Sequence, residues 1–100
     1  MPQLFNQASF SLDENKREGQ AKVSLENREV GFVHAKFDNP NTEFDLIVED
    51  LMGNEQIVKR GCKNPTGRWG ERFDVPVNDD YCNVKIENVK NAKKIDIFFD

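Results

Sequence analysis

Between residues 71 and 99 the chain alternates apolar and polar positions three times over. Phe73, Val75 and Val77 share one parity, as do Cys82, Val84 and Ile86, and then Ile95, Ile97 and Phe99. A period of two places each trio on the buried face of a strand. Asn78-Asp79-Asp80 and residues 88–91 supply the bends between them. Pro76 falls on the outward parity of the first of these strands. It has no N–H to give a neighbour, which predicts an edge strand or a bulge.

The same alternation extends upstream. A first strand ends at Leu12, with Ala8, Phe10 and Leu12 inward and Leu4 and Phe5 as a flap at its start. Residues 13–19 form a charged loop. Residues 20–26 give a second strand with Ala21, Val23 and Leu25 inward, and residues 31–38 a third with Val33, Ala35 and Phe37 inward and Phe32 on the solvent side or at the sheet margin. After the Asp38-Asn39-Pro40-Asn41 turn, Phe44, Leu46 and Val48 point in and Ile47 points out. A short strand over residues 55–60 completes a hairpin, with Ile57 or Val58 inward. Residues 61–70, GCKNPTGRWG, are predicted as an irregular loop because of their glycines and proline.

Seven or eight short strands require two packed sheets or a closed barrel. The expected fold is therefore all-β: a small antiparallel β-sandwich, immunoglobulin-like or jelly-roll-like, spanning residues 1–100 as one domain. The single Trp sits in the glycine-rich stretch and not mid-strand, so the immunoglobulin hallmark is missing.

Composition narrows the function classes. Charged residues make up 32% of the chain, yet eight Phe residues argue for a real core. The net charge of −4 disfavours a nucleic-acid partner. The halves differ: residues 1–50 carry five basic and ten acidic side chains, net −5, and residues 51–100 nine and eight, net +1. No apolar run is long enough for membrane insertion, and the opening residues have no leader-like pattern, so a soluble chain is expected, cytoplasmic or exported with its leader removed. Cys62 and Cys82 lack metal-ligand spacing. They either form one disulfide or stay reduced, Cys82 in the core and Cys62 in the loop.

Candidate chemistry is sparse. Trp69 flanked by Arg68 and Arg72 has the composition of an interface hot spot. Phe98 and Ile47 are apolar residues on outward parities, and would mark an assembly surface if their strands are neighbours. Both sets point to a non-catalytic module that binds a protein partner or a second copy of itself. A loop Trp also suits stacking on a carbohydrate. Asp50, Asp79 and Asp80 lie in turns and could offer oxygen ligands to Ca²⁺ if those turns meet, although no regular calcium loop is present. His34 is the single histidine, and a shallow hydrolase-type site around it is the enzymatic alternative.

Overall fold

The computed structural model describes residues 6–26 and 28–100. Among them the chain forms eight strands: β1 (Gln7–Ser11), β2 (Gly19–Ser24), β3 (Val30–Phe37), β4 (Glu43–Glu49), β5 (Glu55–Lys63), β6 (Arg68–Val77), β7 (Tyr81–Lys90) and β8 (Lys94–Phe99). The expected flap at Leu4 and Phe5 lies outside the described residues. Every pairing is antiparallel, and the strands make two four-stranded sheets in the orders β1-β8-β3-β6 and β2-β7-β4-β5. Each connection crosses from one sheet to the other, except β4 to β5, which stay together as a hairpin. This is the jelly-roll arrangement of the sandwich.

The core lies between the sheets, and the alternation explains it. Phe44, Leu46 and Val48 of β4, Val84 and Ile86 of β7, Val33 and Ala35 of β3, and Ile95 and Ile97 of β8 are all buried. Ile57 is the inward residue of β5, and Val58 is exposed. Neither sheet could hide its apolar face alone, so the two layers stand or fall together.

Five expectations need correction. Residues 88–90 are not a bend: β7 runs on to Lys90, and a bulge at Asn88 turns Val89 into the core, so the chain bends after Lys90. Residues 61–70 are not a loop: β5 runs on to Lys63 and β6 begins at Arg68, leaving a turn of four residues. The glycines serve tighter purposes than a loop would. Gly61, at φ +66°, forms a bulge, and Gly67, at φ +79°, closes the turn with its N–H on the Asn64 carbonyl (3.1 Å). Cys62 is accordingly a core residue opposite Phe44, not a loop residue. It and Cys82 are both free thiols.

Val75 is 74% exposed, not buried. Pairing of β3 with β6 jumps from Phe32↔Arg72 to Val30↔Val77, so residues 73–76 bow out against the single residue Gly31. Pro76 sits in that bow, and β6 is the outermost strand of its sheet, as the proline foretold.

Ile47 points outward yet is only 5% exposed. It lies on β4, an inner strand, directly between Lys85 of β7 and Val58 of β5. Cross-strand neighbours at that spacing, and the aliphatic stem of a lysine, cover it. Ile47 and Phe98 also belong to opposite sheets, so they do not form one surface.

Candidate functional site

The outer face of the β1-β8-β3-β6 sheet carries an aromatic cluster. On β3 the outward parity is Phe32, His34 and Lys36, and each meets a defined neighbour. His34 lies opposite Phe98 on one side and Gly70 on the other, and Lys36 lies between Asp96 and Arg68. The imidazole stacks on the Phe98 ring at 5.0 Å and 22°, with the Phe32 ring 5.9 Å away. All three side chains are half-buried, so the cluster is reachable from solvent.

Gly70 shapes this face. A Cβ at that position would stand 2.9 Å from Phe32 Cζ, so the absence of a side chain lets the Phe32 ring lie across the β6 backbone. Aromatic cover over a strand glycine is a known way to protect an exposed edge. The result is a shallow groove of about 660 Å³ between β3, β8 and β6, lined by Phe32, His34, Phe98, Arg68 and Asp100 among others.

Polar contacts fix the rim. His34 Nε2 lies 3.1 Å from Asp100 Oδ2. The Asp100 backbone is itself held, donating to Phe32 O (2.9 Å) and accepting from Gly31 N (2.8 Å) and Phe32 N (3.0 Å). Thr66, the hydroxyl lining the same groove, donates to Asn64 Oδ1 at 3.0 Å, which occupies it in the turn. Both thiols are turned into the core. Burial pushes Cys62 and Cys82 each up to about 12, so neither is a thiolate near neutral pH.

Strand alternation splits the Arg68–Arg72 string. Arg68 and Arg72 stand on the outer face with the aromatic cluster. Trp69 is opposite Ala35 on the inner parity, half-buried, and its ring meets Phe44 edge-on at 6.1 Å. Trp69 thus ties β6 to β4 across the sandwich, while its two flanking arginines face away from it.

The fold brings Asp50, Asp79 and Asp80 to one depression of about 290 Å³, together with Leu51, Met52 and Tyr81. The Asp50 carboxylate is already engaged there. Its Oδ1 accepts from Met52 N and Asn54 N, both at 2.9 Å, and its Oδ2 from Asn54 Nδ2 (3.0 Å) and Gln56 Nε2 (3.3 Å). Those bonds, the Asn54 N–H first among them, hold its carboxyl below the usual range. Its oxygens are capping a turn, which leaves little lone-pair capacity for a cation.

Alternation alone marks Phe98 as an outward apolar residue but does not give its partners. The signal available was that Phe32, His34 and Phe98 each put an aromatic ring on an otherwise polar parity. What pattern alone withheld was the strand order that sets β8 beside β3. Compared with known proteins, the sequence matches no protein-family model and no curated protein.

Proposed function

We propose that this domain is a non-catalytic binding module that docks a protein partner on the outer face of the β1-β8-β3-β6 sheet. The observation that carries this reading is the half-buried Phe32–His34–Phe98 cluster lying over Gly70, with Arg68 and Arg72 beside it. Aromatic rings flanked on one side by guanidinium groups have the composition of an energetic centre at protein interfaces. The groove is open and shallow, which suits a protein surface better than an enclosed small-molecule site. The anchor role expected of Trp69 passes to these three rings, since Trp69 packs inward.

A hydrolase-type reading of His34 has weaker support. Its ring is occupied by stacking on Phe98, the groove hydroxyl bonds within its own turn, and the thiols are held protonated in the core.

Capture from source-organism lysate on immobilised domain tests the reading. Three forms are compared: wild type, Phe98→Ala with Arg68→Glu, and Gln20→Lys on the opposite sheet. A partner retained by wild type and the Gln20 variant, but lost on the groove variant, is the expected result. Equal retention by all three overturns it. Retention of neutral oligosaccharides by the same face would move the reading to a carbohydrate-binding module.

A further inference from the structure

Charge is sorted in space on this molecule. The groove face carries Lys36, Arg68, Arg72 and Lys94 against Asp38, Asp96 and Asp100, a local excess of one positive charge (4 − 3) on a chain whose net charge is −4. The opposite sign gathers at the β4–β5 tip. No Lys or Arg occurs between Lys36 and Lys59, or between Arg72 and Lys85. Those two segments supply Asp50, Asp79 and Asp80, which meet around the tip. At its apex stand the most exposed large apolar residues of that end, Leu51 at 53% and Met52 at 89%.

The tip is pre-shaped. Besides the four bonds to its carboxylate, Asp50 donates through its N–H to Asn54 O (2.9 Å) and accepts at its carbonyl from Gly53 N (3.1 Å). Gly53, at φ +88°, makes the sharp reversal. A loop fixed in this way loses little freedom on binding, so its apolar apex is a ready ligand. Methionine adapts to irregular apolar surfaces and makes favourable contacts with aromatic rings.

We propose that the groove's occupant is a second copy of this chain: the Leu51–Met52 tip of one copy seats against Phe32, His34 and Phe98 of the next, with Asp79 and Asp80 facing Arg68 and Lys36. This rests on the reading of the groove as a protein-docking face. Two different patches of the same chain meet, so the contact is heterologous. Every assembly keeps one free groove at one end and one free tip at the other, so copies add head to tail. A loop tip in a shallow groove belongs to the smallest class of specific interface, below about 1,200 Å². Association is therefore weak and reversible. Because the charges are exposed, it fades as salt shortens the Debye length to about 3 Å at 1 M.

Sedimentation velocity on the full chain decides it. At low salt and concentrations up to about 1 mM, the weight-average mass of wild type rises beyond a dimer, and about 1 M NaCl returns it to monomer. Met52→Lys and Arg68→Glu, both at exposed positions that leave the fold intact by circular dichroism, each weaken self-association by at least about tenfold. Mixing the two restores one contact only, because the first variant keeps its groove and the second its tip, and the mixture stops at a 1:1 dimer. A wild type that stays monomeric overturns the self-docking and leaves the groove reading to its own capture test. So does association that survives either substitution, or a mixture that stays monomeric.

Discussion

Asp45 holds two irregularities of the β2-β7-β4-β5 sheet with one carboxylate. Its Oδ1 accepts from Gly61 N (2.9 Å) at the β5 bulge, and its Oδ2 accepts from Arg60 Nη1 (3.1 Å) and Asn88 Nδ2 (2.9 Å). Asn88 has φ +51° where β7 shifts register against β4. The Asn88 amide, the Gly61 N–H and Arg60 together hold the Asp45 carboxyl below the usual carboxylate range. A folded value below the unfolded one adds stability that is fully present above the unfolded value and is lost as pH falls through the folded value. Asp45→Ala is expected to cost about 1–3 kcal/mol, since it strips partners from three donors at once. Chemical denaturation at neutral pH measures that cost. The deficit against wild type should shrink as pH drops below the carboxylate range, and a pH-independent deficit would rule out the charge. The thiols make a second residue-scale case. With Cys62 and Cys82 raised to about 12, a disulfide-exchange reagent at pH 8 should label them only at the rate of opening, and at once in denaturant. Rapid labelling of the folded chain would contradict their burial.

Strands were legible from the sequence wherever the alternation ran unbroken, and illegible where one residue too many interrupted it. β7 keeps the period only as far as Ile86, after which the bulge at Asn88 carries Val89 inward, whereas β3, β4 and β8 kept it throughout, and their inward residues follow from the alternation. β5 and β6 did not keep it. Gly61 adds a residue that keeps Cys62 facing inward, and the bow at residues 73–76 turns Val75 outward. A bulge shifts parity without changing composition, which is why the glycine-rich stretch resembled a loop. The groove was hidden for a related reason: its residues come from three strands whose order is a property of topology. Two glycines test how rigid these elements are. At Gly19 a Cβ would lie 2.5 Å from Phe10 Cδ1, and Phe10 is a core side chain at the β1–β2 seam with nowhere to go. Gly19→Ala should cost about 1–3 kcal/mol by overpacking. At Gly70 the same change meets Phe32, whose half-exposed ring can swing into solvent. Gly70→Ala should leave stability unchanged or raise it by up to about 1 kcal/mol, as strand glycines allow. It should nevertheless weaken docking, because the displaced ring no longer floors the groove. Thermal melts of the two variants side by side provide the comparison, and equal losses would mean that Phe32 is as fixed as Phe10.

At the scale of the whole molecule, the jelly roll makes most of its contacts between distant parts of the chain. Gln7 pairs with Phe98, Gly19 with Ile86 and Val30 with Val77, while β4–β5 is the one sequence-adjacent pair of strands that shares a sheet. The entropy of closing those long loops is lost before the apolar contacts that offset it can form. Refolding from denaturant should therefore fall in the range of about milliseconds to seconds that non-local β topologies show, not microseconds. Two probes then report on how the layers assemble. Far-ultraviolet circular dichroism follows strand pairing within each sheet. Trp69 fluorescence follows the contact between sheets, because its ring rests on β6 and meets Phe44 on β4. Neither four-stranded sheet can bury its apolar face without the other, so pairing and docking should be one event, and the two signals should recover with a single shared rate. A fluorescence phase that lags the dichroism would show sheets forming first and closing later. It would also mean that an unclosed sheet, with Phe44, Leu46 and Val48 uncovered, is populated long enough to aggregate.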